Sequence, residues 1–223
     1  SFYIFKKKNS ISLIVCDGAG SAKFSHLGAK AFSKNLGRFC LKNSVQFNQE
    51  EIIDYIKEGI RHIFKLLLRF SKIFKLNACK KDFATTILGF VKFSERLSIG
   101  FHIGDGSLIF LSKEEKTISF LSKPENGEYI NQTFFITDDN WEEKLRFFKI
   151  DFKYEVLLAM TDGVTAMALK NNMPFGGFIN PIINFLVSHS DEKCIEALKS
   201  SLSSLKATQI SNDDKTFAWF LPC

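Results

Sequence analysis

No pair of cysteines in this sequence has the spacing of a metal knuckle or a redox motif. The five, Cys16, Cys40, Cys79, Cys194 and Cys223, are scattered, odd in number and never arranged as CxxC. That pattern points to a reduced, cytoplasmic setting. The four histidines show no HxxxH or Cys/His grouping, which argues against a zinc site. Long apolar runs are missing too. The most apolar-looking stretch, Ile52 to Phe74, is broken by Lys57, Arg61, Lys65, Arg69 and Lys72, whereas a membrane span needs about 20 predominantly apolar residues. The opening "SFYIFKKKNS" has its apolar and charged parts in the wrong order for a signal peptide. There are no internal repeats and no low-complexity linker, so a single domain over 1–223 is expected.

What is present is a globular composition with a basic bias. The formal net charge is +6, which favours anionic partners. Two short strands near the start are joined by the polar turn "KKKNS". Ser25 reads as the cap of a helix running to about Leu41. A second helix over about 49–70 places Ile52, Ile53, Ile56, Ile60, Ile63, Phe64 and Leu67 at a 3.6-residue period. From Phe83 the pattern changes to strands: "FATTILGFVKF", "RLSIGFHIG", "SLIFLS" and "TISFLS", then a short one at "TFFIT" and a buried one at "YEVLLAM". In "RLSIGFHIG" the alternation is that of a half-buried strand. Two helices follow, one starting at Asn180-Pro181, the other capped by Ser190 with a stripe of Cys194, Ile195, Leu198, Leu202 and Leu205. "TFAWFLP" closes the chain as a strand. Strand blocks joined by hairpins argue for antiparallel sheets. The order predicts an α+β fold, a four-layer α-β-β-α sandwich of two mainly antiparallel sheets flanked by helix pairs.

The feature that asks for explanation is "SLIVCDGAGSA", a buried run that stops at Asp17 and is followed by nothing larger than serine. The device recurs in "IGDGS" at Asp105 and "AMTDGV" at Asp162, while "NDDKTF" puts Asp213 and Asp214 ahead of a strand. Each site alone is a common turn dipeptide. Together they place several carboxylates on rigid bases with small neighbours that let a ligand or backbone come close. Converging carboxylates repel unless cations neutralise them, and oxygen-only donors select hard ions such as Mg²⁺ or Mn²⁺.

The motifs "DGAGSAKFSHLGAKA", "ATTILGFV", "IGDGSL", "AMTDGV" and "NDDKTF", with the middle segment "ENGEYINQTFFITDDNW", resemble in order and separation the metal-dependent Ser/Thr protein phosphatases of type 2C, above all the bacterial single-domain subgroup. The resemblance implies that Asp17 bridges two Mn²⁺ or Mg²⁺ ions and that the Gly18 carbonyl ligates one of them. It implies that Asp162 and Asp213 hold the other, with Asp214 an alternative to Asp213 because the usual "DN" is "DD" here. Asp105 would serve a third, looser position. Thr85 and Thr86 are expected to pack near the site. The implied reaction is hydrolysis of phosphoserine or phosphothreonine in proteins by water activated between two ions. It needs no cysteine nucleophile, and no cysteine here begins a CxxxxxR loop.

Three departures bear on activity. The family usually has a phosphate-holding Arg and an acidic residue at or just before the first strand, and this sequence, which starts inside that strand at Ser1, shows neither: they either lie upstream or are lacking. Ala19 stands where some members carry a His proposed as general acid. The third is the "DD" already noted. The alternative reading is a catalytically weak binding or regulatory module. A third, weaker one makes the basic helix face Arg61, Lys65, Arg69, Lys72 and Lys75 a nucleic-acid or membrane contact; no nucleic acid and no membrane span are expected. The enzyme reading implies a phosphorylated protein substrate and an opposing Ser/Thr kinase. His26, His102 and Cys16 read as structural, and Asp138 with Asp139 as a solvated acidic turn.

Overall fold

The computed structural model describes residues 1–42, 49–94, 97–125, 133–150 and 153–221. Its first half runs β1 (Phe2–Lys7), β2 (Ser10–Val15), α1 (Ser25–Cys40), α2 (Gln49–Ile73), a 3₁₀ turn (Lys80–Phe83), β3 (Ile87–Ser94), β4 (Leu97–Ile103), β5 (Ser107–Ser112) and β6 (Ile118–Ser122). The second half runs α3 (Trp141–Lys144), β7 (Arg146–Lys149), β8 (Tyr154–Met160), α4 (Asp162–Ala168), β9 (Leu169–Lys170), β10 (Met173–Pro174), α5 (Gly176–Ser188), α6 (Asp191–Leu202), α7 (Leu205–Ile210) and β11 (Phe217–Phe220). These elements form two compact units, Ser1–Asp105 with Pro124–Asp151, and Gly106–Lys123 with Phe152–Cys223. The α+β class with two antiparallel sheets holds.

The first unit is a five-stranded antiparallel sheet in the order β1-β2-β3-β4-β7. Helix α1 packs on β1, β2 and β3, and α2 lies against α1, where the Phe32 and Phe64 rings meet edge to face at 4.8 Å. The periodic residues Ile52, Ile56, Ile60, Ile63, Phe64 and Leu67 of α2 enter one core with Phe32, Leu36, Phe83, Ile87 and Phe101; Ile53 is half-buried. Four expectations change here. Ser25 is the first helical residue, and Phe24 takes the cap position without a side-chain bond. Strand β4 is buried on both faces, since Ser98, Gly100 and His102 are as enclosed as Ile99 and Phe101. Laterally it lies between β3 and β7, a strand that sequence reading missed. The segment "TFFIT" forms no strand over its described residues. It is held by Ile136 N donating to Thr85 O at 3.1 Å and Phe135 N donating to the Asp138 carboxylate at 2.8 Å. Asp138 is therefore a structural acceptor, while Asp139 is exposed as expected. Positions 126–132 of the quoted middle segment lie outside the described residues.

The second unit is a four-stranded antiparallel sheet, β11-β8-β5-β6, with the ribbon β9-β10 and four helices in place of the expected pair. Its core gathers Ile109, Val156, Leu158, Met160, Val164, Ile179, Ile183, Leu186 and Cys194. Helix α5 begins at Gly176, with Pro181 inside it, not at its start. The buried set Ile179, Ile183 and Leu186, at spacings of four and three, carries the helix through the proline despite one missing amide. Ser190 takes the cap position of α6 as expected, though without a side-chain cap bond, and of the anticipated stripe only Cys194 and Leu198 are buried. Ile195 is 48% exposed, and Leu205, 77% exposed, opens the separate helix α7.

His102 ties β4 to β7. Arg146 Nη2 donates to His102 Nδ1 at 2.9 Å, which puts the imidazole proton on Nε2, and Arg146 Nε pairs with Glu125 at 2.9 Å. Burial, reinforced by the Arg146 charge, holds the His102 pKa well below its ordinary 6.5. Folded His102 stays neutral where unfolded His102 takes up a proton, so its contribution to stability is lost as pH falls below 6.5. Urea titrations between pH 7 and pH 5 should show a loss of stability that is smaller in His102→Gln.

Glycine supplies a second test. A Cβ on Gly28 of α1 would stand 2.3 Å from the Phe83 carbonyl oxygen, whereas one on Gly20 would meet nothing within 4 Å. Gly28→Ala should cost about 1–3 kcal/mol, and Gly20→Ala less than about 0.5 kcal/mol, both read from thermal melting.

Candidate active site

Asp17, Asp105 and Asp162 share one position: each is the second residue past its strand, β2, β4 and β8 respectively. All three are half-buried. Asp213 and Asp214 stand just before β11 and are exposed.

In the first unit the acids are organised by two threonines. Thr86 N donates to the Asp17 carbonyl at 2.8 Å, and the Thr85 hydroxyl donates to the same oxygen at 2.6 Å. Asp17 N donates to Thr86 Oγ1 at 3.1 Å. Gly18 bridges Thr85, and Ala19 N donates to Ala84 O at 3.0 Å. The Asp17 turn is thus stitched to the entry of β3 through its backbone. The other face of Thr86 meets the Asp105 turn. Gly104 has φ +121°, and a Cβ there would lie 2.5 Å from Thr86 Cγ2. The left-handed backbone and the close approach together require glycine. Thr133 donates its hydroxyl to the Asp105 carboxylate, and Glu125 N donates to Gly104 O at 3.0 Å. One threonine therefore sets the spacing between the Asp17 and Asp105 turns. Thr85 and Thr86, expected only to pack, hydrogen-bond the Asp17 turn, and Thr86 packs against the Asp105 turn.

The small residues after Asp17 also have a reason. A Cβ on Gly18 would come within 2.9 Å of the Ser25 carbonyl carbon, so the turn lies directly against the first residue of α1.

In the second unit Thr161 has the corresponding part. It sits at the cap of α4, but its hydroxyl reaches sideways: Thr161 Oγ1 donates to Asp214 O at 3.3 Å and accepts from Thr216 N at 3.1 Å. Thr161 N donates to Thr216 O at 3.1 Å. A Cβ on Gly163 would fall 2.5 Å from Asp214 O and 3.2 Å from Asp213 O. The acid-glycine pair at 162–163 is what lets the 213–214 backbone close in. The Asp162 carboxylate accepts from Gly163 N at 2.8 Å, and that of Asp213 accepts from Asp214 N at 2.8 Å. Helix α4, which starts at Asp162, went unread in sequence because it is only seven residues long.

The structure thus brings Asp17, Gly18 and Asp105 together in one unit, and Asp162, Asp213 and Asp214 in the other. Within either unit, among the described residues, no group of three or more His, Cys, Asp and Glu side chains is close enough to hold a metal ion. The donors present are carboxylates and carbonyls, the chemistry of a hard cation. Cys16, next to Asp17, is fully buried, and burial, with Asp17 adding to it, pushes its thiol well above the ordinary range. It is neither nucleophile nor soft ligand at neutral pH.

Two substitutions test this architecture. Thr86→Val leaves the Asp17 amide without its acceptor and should cost about 1–3 kcal/mol in urea unfolding. Gly163→Ala should push the 213–214 loop away and shift the amide signals of Asp213 to Thr216 in a heteronuclear NMR spectrum.

The family described as Protein phosphatase 2C matches residues 1–203. The chain is 29% identical over 213 residues to serine/threonine-protein phosphatase 3 of Escherichia coli strain K12, covering 93% of this chain and 82% of that one. The serine/threonine phosphatase of S. agalactiae superposes over 100% of this chain and 92% of its own, with a TM-score of 0.69 and 14% identity. Stp1 of Staphylococcus aureus does so over 100% and 88%, with a TM-score of 0.64 and 18% identity. A family match that runs through both units, with a fold shared along the entire chain, makes this chain a member of the protein phosphatase 2C family.

Proposed function

We propose that this protein hydrolyses phosphoserine and phosphothreonine in protein substrates, and that it does so with divalent cations, Mn²⁺ or Mg²⁺. Membership of the family carries the phosphatase reading and favours it over a catalytically weak binding or regulatory module. The observation that supports the metal reading is the donor set: three half-buried acids, each two residues past a strand, with a Gly18 carbonyl and the paired acids at 213–214. Asp17, Gly18, Asp162 and Asp213 would hold two ions, with Asp214 as the alternative to Asp213, and Asp105 would hold a third. Asp17, Asp162 and Asp213 are the residues on which turnover depends. When bound, such cations supply Lewis acidity toward water and the phosphoryl oxygens. The chain's own part is to hold carboxylates of like charge at fixed spacing, which the threonine hydrogen bonds support.

The two units would act as one phosphatase domain over 1–223. The chain passes between them at three places. Among the described residues no helix is long and apolar enough to cross a membrane, and Cys16, Cys40, Cys79 and Cys194 are free thiols. We infer a reducing, cytoplasmic setting and an opposing Ser/Thr kinase that supplies the substrate.

The test is hydrolysis of p-nitrophenyl phosphate and of a phosphothreonine peptide, with Mn²⁺ and after chelation. Turnover should require the metal. Replacing a ligand should exceed the 10–100-fold typical of outer-shell partners, so Asp162→Ala and Asp17→Ala should lose more than about 100-fold. Calorimetric Mn²⁺ titration of Asp213→Asn and Asp214→Asn should identify the ligand as the one whose loss weakens binding. Metal-independent turnover, or an active Asp162→Ala enzyme, would refute the proposal.

A further inference from the structure

We propose that the outer groove between α1 and α2 is a docking site for an acidic, amphipathic helical segment of a partner protein. The groove encloses about 350 Å³ and is floored by Leu27, Ala31, Ile63, Leu66, Leu67 and Phe70. Such an opening is large enough for one or two inserted side chains. Its apolar surface continues along the end of α2. Leu66, Phe70, Ile73 and Phe74 are 43%, 41%, 74% and 60% exposed, and the Phe70 and Phe74 rings lie 4.4 Å apart. Leu66, Phe70 and Ile73, at spacings of four and three on α2, with Phe74 just past its end, present an apolar strip.

Charge selects the occupant. Lys30 and Lys34 line the groove from α1, and the exposed Lys65 and Arg69 neighbour Leu66 and Phe70 on α2. Residues 18–49 and 59–81 together carry twelve Lys and Arg and no Asp or Glu. With a whole-chain net charge of +6, the remaining residues carry −6. The basic excess is thus concentrated on the two segments that build this groove. The acids of α2, Glu50, Glu51, Asp54 and Glu58, are confined to its first half. An apolar floor inside a rim of one sign is the complement of a helix with apolar anchors at i, i+3 or i+4 and i+7 and acids beside them. A lipid surface would instead favour a convex apolar face, whereas here Leu27, Ala31 and Leu67 are recessed between helices.

The experiment uses a fluorescein-labelled amphipathic helix of about 18 residues, roughly five turns, with leucine on one face and glutamate and alanine on the other. A lysine-for-glutamate counterpart and vesicles of phosphatidylcholine with about one-third phosphatidylglycerol are run beside it against the full chain. Anisotropy should rise saturably with the acidic peptide, and the affinity should fall with added salt. Phe70→Glu and Lys34→Glu should each weaken binding at least about tenfold, with Leu66→Gln as a third variant. Ile210→Glu, an exposed apolar position in the other unit, should leave it unchanged. All these sites are exposed, and unchanged melting curves confirm folding. No binding of the acidic peptide, equal binding of the lysine peptide, insensitivity to both groove variants, or stronger binding to anionic vesicles than to the peptide would each overturn the proposal.

Discussion

The carbonyl oxygen of Asp17 accepts two hydrogen bonds, from the Thr86 amide and the Thr85 hydroxyl, and much of the first unit depends on them. A strand that ends inside a protein leaves polar backbone groups that must find partners. Here the partners come from the entry of the neighbouring strand β3, so the turn is tied by main-chain atoms. Because Thr86 also packs against Gly104, a displacement at one acid-bearing turn is felt at the other. The second unit repeats the device with Thr161, whose hydroxyl joins the α4 cap to the 214–216 backbone. Threonine suits this use, since its branched Cβ restricts the rotamer while the hydroxyl both donates and accepts.

That arrangement explains why glycine follows Asp17 and Asp162, and why one also precedes Asp105. Gly18 and Gly163 each face a backbone atom at a distance no Cβ could occupy, and Gly104 faces the Thr86 methyl in a left-handed conformation. Asp17 and Asp162 therefore stand where main chain crosses main chain. Such crossings are stiff because sliding one strand would break several short bonds together. Stiffness is what a set of like charges needs if it is to meet a cation without first reorganising.

The strand-end position of the acids was legible in sequence, because an apolar run that stops at a single carboxylate marks both the strand and its end. Helix α2 was legible for a similar reason: 25 residues give the 3.6-residue period room to declare itself. What was not legible depends on partners distant in sequence. Strand β7 is four residues long and is defined by pairing with β4. The Arg146 partner of His102 comes from that same pairing, which local alternation cannot reveal. "TFFIT" has strand-forming residues, but the Asp138 carboxylate captures the Phe135 amide and turns the chain instead. Ile195 and Leu205 fit a helical stripe on paper, yet α6 ends at Leu202, so Leu205 begins a new helix and faces water. The threonine bonds at the acids were invisible for the same reason as β7: they join residues about 55 to 70 apart along the chain.

Charge placement adds a constraint of a different kind. An exposed apolar strip needs charged neighbours to remain soluble, and mixed signs serve as well as one sign. Solubility alone therefore accounts for the charges beside Leu66 and Phe70, but not for the absence of any acid from 59 to 81. Helix electrostatics account for part of it, since cations are favoured at the C-terminal end of α2 and acids at its start. They do not reach Lys30 and Lys34, which sit in the middle of α1, far from either end effect. Two helices with different dipole environments present the same sign to one groove. The common factor is the groove itself, and a surface of that sign is matched by a negatively charged occupant.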